Sequence, residues 1–159
     1  MREDQRMSTT PRLDLYQPWP DGYKAMAAFD RTVGQSGLDE GLLELVKMRC
    51  SQVNGCAYCI DMHSKDARAR GETEQRLYAL SAWREAPFFT AAERAALALA
   101  EAVTLVATQH VSDEVVEDAR RHFGDDGLLK LVYAICAINA WNRLSITGLP
   151  VVGEYQPRG

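Results

Sequence analysis

Residues 42–71 read LLELVKMRCSQVNGCAYCIDMHSKDARARG, and this stretch decides the fold. Leu42, Leu45, Val46, Cys50 and Val53 recur at the spacing of one helical face, so residues Leu38 to Val53 are expected to be an amphipathic helix. Asn54-Gly55 stops it, because Gly is favoured just past a helix end. A second helical run opens at Cys56 and closes at about Arg70, before Gly71. Two helices joined by so short a turn pack side by side.

The same pattern extends in both directions. Upstream, Tyr23 to Val33 reads as a helix ended by Gly34 and Gly37. Residues 1–22 carry Pro11, Pro18, Pro20, Tyr16 and Trp19, and read as an extended arm lying on an apolar surface. Downstream, Thr73 to Arg84 is a short helix. Thr90-Ala91-Ala92-Glu93 is a capping-box signature that opens a longer one to about Thr108. Ser112 to Phe123 has acids early and bases late, as the helix dipole favours. Asp126 to about Thr147 completes the set, and residues 148–159 form an irregular tail. No strand alternation or internal repeat is present. The expected fold is all-α: one compact bundle of about seven helices over residues 23–147.

Composition fits this reading. The 159 residues match one domain at about 150 residues per domain. Hydrophobic residues are 47% and charged residues 25%, the balance of a folded globular chain. Eighteen Lys and Arg against 22 Asp and Glu give a net charge of −4, which argues against a general nucleic-acid binder. The longest apolar run, Leu131 to Ala140, falls short of the roughly 18 residues that span a bilayer. The N-terminus opens on charges and lacks the apolar core of an export signal, so the expected location is cytoplasmic. In a reducing compartment a close cysteine pair points to redox, catalytic or metal chemistry rather than to a structural staple.

That pair is Cys56 and Cys59. At i and i+3 they share a face at the start of a helix, where the free N–H groups lower a thiol pKa. His63 follows Cys59 by one turn on the same face, and Cys56 to His63 is about 10.5 Å along the axis. The imidazole therefore reaches Cys59 more readily than Cys56. This assigns the nucleophile to Cys59 and the resolving thiol to Cys56. The expected chemistry is attack of Cys59 on a peroxide, a sulfenic acid at Cys59, and a Cys56–Cys59 disulfide that an external dithiol reduces. Periodicity alone makes Glu44 a solvated residue on the Lys47 and Ser51 side of its helix. Cys50 and Cys136 read as buried small hydrophobes, and Asp61 as solvated. Asn139, Trp141, Asn142 and Arg143 read as structural polar groups in an apolar helix.

With Glu44, eleven intervening residues, Cys56-x2-Cys59, three residues and His63, the chain resembles the alkylhydroperoxidase D-like proteins of the carboxymuconolactone decarboxylase superfamily. The likeness continues through Trp83 to Thr90 and Asn139 to Arg143. The resemblance implies an all-helical fold, with Cys59 peroxidatic and Cys56 resolving. It also implies that His63 and Glu44 form a proton relay to the Cys59 sulfur, directly or through water. It implies homo-oligomers (dimers, trimers or hexamers), a hydroperoxide substrate, and a dithiol or lipoyl-type protein reductant; the cysteine pair carries the electrons, so the expected chemistry requires no cofactor or metal. One position departs from the best-known peroxidase branch, which has His immediately before the second cysteine; here it is Tyr58, a hydrogen-bond donor but a poor base near neutral pH. Decarboxylase members lack the cysteine pair. The alternatives are a non-enzymatic redox sensor, a metal site built from the cysteines and His63, and a decarboxylase-like enzyme with the cysteines in another role. The broadly apolar fifth and seventh helices suggest a symmetric subunit contact.

Overall fold

The computed structural model describes residues 10–157. Helices run Pro20–Gly34 (α1), Glu40–Asn54 (α2), Ala57–Ala69 (α3), Glu74–Ala79 (α4), Ala91–Thr104 (α5) and Asp113–Gly148 (α6), with a 3₁₀ turn at Leu80–Ala82. No strand occurs among the described residues. The fold is all-α, as expected, but the helix count changes. The sixth and seventh expected helices follow each other directly as the two arms of α6, parted where Gly124 leaves helical geometry at φ 65° and ψ 178°. α5 stops at Thr104 rather than near Thr108. α1 starts at Pro20, three residues early, because Pro lacks an N–H that the first helical turn could not bond anyway.

Side-chain caps fix the helix starts. Asp39 accepts from the Leu42 N–H at 2.8 Å. Thr90 and Glu93 form the reciprocal capping box foreseen in the sequence, at 3.2 and 2.7 Å. α2 ends at Gly55 in the left-handed region, φ 69°, which turns the chain straight into α3.

α2 lies at the centre, packed against α3, α5 and α6. It contributes to three apolar clusters at once. Leu42, Val46 and Cys50 meet Leu131, Ile135 and Ile138 of α6. Leu45 and Met48 meet Leu77, Leu80, Trp83 and Leu97. Leu43 meets Val33, Ala134 and Ala137. A helix enclosed on so many sides has no true solvent face, so Glu44, Lys47 and Ser51 are buried together with the apolar stripe.

A polar network ties the end of α2 to α5 and α6 directly before the cysteine pair. Asn54 Nδ2 donates to Asn139 Oδ1 at 2.9 Å and Asn142 Oδ1 at 2.8 Å. Asn142 Nδ2 donates to Ser51 Oγ at 3.0 Å, and Asn139 Nδ2 to Thr104 Oγ1 at 2.9 Å. These bonds satisfy groups that burial would otherwise penalise, and they fix the turn that carries Cys56. They agree with the structural reading of Asn139; Asn142 also hydrogen-bonds to the Cys56 and Cys59 sulfurs and so reaches the reacting pair.

Cys50 is buried, but Cys136 is exposed, which corrects its assignment to the core. It shares an outward face of α6 with exposed Leu129 and Tyr133, seven and three residues before it. The described part of the arm lies on the body: Arg12 and Leu13 N–H groups donate to the Gly148 carbonyl at 2.8 and 3.1 Å. Residues 1–9 of the arm lie outside the described residues, as do residues 158–159 of the tail. No described helix is long and apolar enough to cross a membrane.

Candidate functional site

Cys56 is the N-cap residue of α3. Its N–H donates to the Ser51 carbonyl at 2.9 Å, and its own carbonyl accepts from Ile60 at 3.0 Å. One turn on, the Cys59 sulfur lies 2.8 Å from the Cys56 sulfur. Both are free thiols, so closing a disulfide needs only a small movement. The two are 2% and 1% exposed, yet they are not equivalent. Cys59, with Tyr58, His63 and Glu44, lines a cleft of about 1020 Å³; Cys56 lies behind it.

Acidity falls on the other sulfur. A hydrogen bond from Cys59 holds the Cys56 thiol down at about 7, against the opposing effect of burial. The same contact, with burial and the neighbouring Cys56 charge, pushes Cys59 well above the usual thiol range. The N-cap position adds to the Cys56 shift, since helix N–H groups favour an anion there. The first proton lost by the pair thus leaves a thiolate at Cys56 that accepts from the Cys59 S–H. Access belongs to Cys59 and acidity to Cys56, the sulfur that the helix dipole favours as a thiolate, rather than to the one a turn from His63.

His63 and Glu44 are each 5% exposed. His63 Nδ1 lies 2.8 Å from Glu44 Oε2. The other carboxylate oxygen is 3.8 Å from Lys47 Nζ, which is itself 3.8 Å from Asp30. Burial alone would raise the Glu44 pKa, but the His63 hydrogen bond and the charges of His63, Lys47 and Arg70 outweigh it and hold the carboxyl below its ordinary value. Glu44 is therefore ionised and fixes the His63 ring. The solvated Glu44 expected from periodicity is wrong for the reason given above: its side of α2 faces α3. His63 Nε2 is buried without a hydrogen-bond partner among the described residues. No hydrogen bond joins His63 to Cys59, in contrast to the direct contact that the one-turn spacing suggests.

Tyr58 lines the cleft and also packs on the apolar core. Burial, together with neighbouring Tyr23 and Cys59, raises its pKa, so its phenol stays protonated and can only act as a hydroxyl. The metal alternative built on the cysteines does not gain support. The donor atoms that converge, within 4.8 Å of one another, are those of Glu44, His63 and Asp66. Lys47 and Arg70 already place positive charge beside Glu44, which opposes a cation there.

Several cleft residues escape the sequence reading. Lys47 and Asp66 fall one turn from Glu44 and His63 and could have been found from that spacing. Trp141, first taken as structural, presents its ring to the cleft. Asp61 is not solvated: it accepts from Lys65 Nζ at 2.9 Å and from the Gly153 N–H at 3.2 Å, anchoring the tail.

The sequence model of the carboxymuconolactone decarboxylase family matches residues 20–102. The chain belongs to that family. Within it, the chain is an alkylhydroperoxidase D-like member. It is 45% identical over 135 residues to YdfG of Bacillus subtilis (strain 168), an uncharacterised protein, covering 85% of this chain and 92% of YdfG. Its fold matches a crystal structure of a protein of unknown function from Agrobacterium tumefaciens, suggested to be an antioxidant defence protein AhpD. That match has a TM-score of 0.86 at 37% identity and covers 94% of this chain and 100% of the other. The debrominase Bmp8, crystallised with 2,3,4-tribromopyrrole, shares the fold at a TM-score of 0.78 and 20% identity, over 86% of this chain and 73% of its own. Within the carboxymuconolactone decarboxylase family, fold alone does not choose the reaction.

Proposed function

We propose that this protein is a thiol peroxidase that reduces organic hydroperoxides or hydrogen peroxide through the Cys56–Cys59 pair. The observation that carries the reading is positional. Cys59 opens onto the same cleft as a buried, carboxylate-fixed imidazole, with a second thiol 2.8 Å behind it.

The Cys59 proton passes to the cleft base, His63, through water. The Cys59 sulfur then attacks the distal peroxide oxygen. The O–O bond breaks, the sulfur gives up an electron pair, and the alkoxide takes a proton to leave as an alcohol. The product on the protein is a Cys59 sulfenic acid. The Cys56 thiolate attacks that sulfur, hydroxide leaves and takes a proton to become water, and the disulfide forms. His63 supplies and accepts protons while Glu44 fixes its ring through Nδ1. An external dithiol, small or carried by a lipoyl-type protein, restores both thiols by exchange. Exposed Leu129 and Tyr133 on α6 support a homo-oligomer.

The test is steady-state peroxide consumption with excess dithiol by wild type, Cys59→Ser and Cys56→Ser. Sustained wild-type turnover that both substitutions abolish is expected. A single stoichiometric oxidation that then stops would make the pair a redox sensor instead.

A further inference from the structure

The cleft is far larger than hydrogen peroxide requires, at about 1020 Å³ against the roughly 30 Å³ a water-sized molecule occupies. Part of its wall is aromatic; Asp30, Glu44, Lys47, Asp66 and Arg70 give the rest a charged lining. Tyr16, Tyr23 and Trp141 form an edge-to-face chain with ring centroids 5.3 and 5.4 Å apart, and Tyr58 and Tyr155 also line the space. These rings come from the arm, α1, α6, α3 and the tail, so the chain brings distant segments together to build an aromatic patch in the cleft that Cys59 also lines.

The tail's part in that wall is held by bonds concentrated on one turn of α3. Lys65 Nζ donates to the Gly153 carbonyl at 3.1 Å and to the Tyr155 carbonyl at 3.0 Å. The Gly153 N–H returns a bond to Asp61, which Lys65 also reaches. The Tyr155 hydroxyl donates to Asp66 Oδ1 at 2.7 Å, and Asp66 lies three residues after His63. A segment without helix or strand is thereby fixed beside the reacting groups.

We infer that Tyr155, latched to Asp66 and backed by Lys65, is a specificity-determining residue that selects hydroperoxides with a bulky, ring-bearing apolar body over hydrogen peroxide. The inference rests on the peroxidase reading for its reaction and adds the residue that chooses the substrate. The body lies against the aromatic wall, where its burial and ring contacts add affinity that hydrogen peroxide cannot gain. Tyr155 closes the tail side of that wall.

The experiment compares kcat/KM for cumene hydroperoxide and hydrogen peroxide, with one dithiol reductant, in wild type, Tyr155→Phe and Tyr155→Ala. Calorimetric titration with the unreactive product, cumyl alcohol, accompanies it. Wild type is expected to favour cumene hydroperoxide. Tyr155→Ala is expected to lower the cumene-to-hydrogen-peroxide ratio about tenfold through KM, with Tyr155→Phe falling in between because it keeps the ring and loses the latch. Equal ratios in wild type and Tyr155→Ala, or a wild type that favours hydrogen peroxide, would overturn the inference while leaving the peroxidase reading intact. If wild type consumes neither peroxide, the peroxidase reading fails. In that case Tyr155-dependent binding of cumyl alcohol still supports the recognition role, and no binding overturns it. Melting curves of the Tyr155 variants show whether they remain folded; if Tyr155→Ala does not, Tyr155→Phe carries the comparison, and a ratio equal to wild type overturns the inference.

Discussion

Glu44 and His63, on neighbouring helices, share a 2.8 Å hydrogen bond with both side chains buried. The bond spends one imidazole nitrogen on a fixed anion and leaves Nε2 as the working atom. Glu44→Gln keeps an oxygen that can accept from Nδ1–H but removes the negative charge beside the ring. Peroxide turnover in Glu44→Gln is expected to fall by about 10²-fold with the fold intact. Wild-type kcat/KM in that variant would remove Glu44 from the relay.

The cysteine pair should titrate unequally. With exposed Cys136 replaced by Ser and buried Cys50 pushed up to about 12, the ultraviolet thiolate signal near neutral pH reports Cys56. One thiolate should appear around pH 7, below the ordinary thiol value of about 8.5. Cys59→Ala removes the strongest cause of that shift, so the transition should move upward. An unmoved transition would assign the shift to the helix N-terminus alone.

Acid should unfold the protein through its buried carboxylates. Burial on its own would raise Glu44, Glu93 and Glu101, but hydrogen bonds from His63, Arg76 and Trp83 respectively, with the nearby positive charges, leave all three below their ordinary value. The native state therefore binds fewer protons than the unfolded chain. The stability they supply is present above the ordinary glutamate value of about 4.3 and is lost as pH falls through their lower native values. Urea midpoints should be flat from pH 7 to 5 and drop below pH 4. Glu101 accepts from Arg49 at 2.7 Å and Trp83 at 2.8 Å, so Glu101→Gln should cost about 1–3 kcal/mol at pH 7 and soften that drop. An acid limb unchanged in this variant would place the titration elsewhere.

Gly124 isolates a backbone effect. A Cβ there would meet nothing within 4 Å, so space is not at issue. At φ 65° and ψ 178° only Gly is comfortable, and Gly124→Ala should destabilise by about 1–3 kcal/mol in urea denaturation. A loss below about 0.5 kcal/mol, the range of an ordinary surface change, would mean that the bend in α6 relaxes without Gly.

The parts of this molecule legible in its sequence are those set by local rules. The capping box at Thr90 and the Gly55 stop follow from neighbouring residues, and the structure keeps both. The pairing of Glu44 with His63 came from motif likeness, because helical periodicity reads Glu44 as exposed. It cannot register that α2 is enclosed by three other helices. Cys136 failed in the opposite sense: its apolar neighbours belong to a face of α6 that nothing in the described chain covers. The tail was unreadable for a different reason. The latch between Tyr155 and Asp66 spans 89 positions and leaves no periodic trace. The uneven acidity of Cys56 and Cys59 depends on how closely the two sulfurs approach, at 2.8 Å, and spacing puts no distance on that.

The central claim is that Cys59, the sulfur on the cleft, is the atom oxidised first. It is tested most directly by treating reduced Cys56→Ser with one equivalent of hydroperoxide in the presence of a sulfenic-acid trap and locating the adduct by peptide mass spectrometry. The account predicts one adduct, on Cys59, and none on Cys59 in the Glu44→Gln, Cys56→Ser double variant at the same short reaction time. An adduct on Cys50 or Cys136 with Cys59 unmodified, or on Cys56 in the reciprocal Cys59→Ser protein at the same rate, would contradict it.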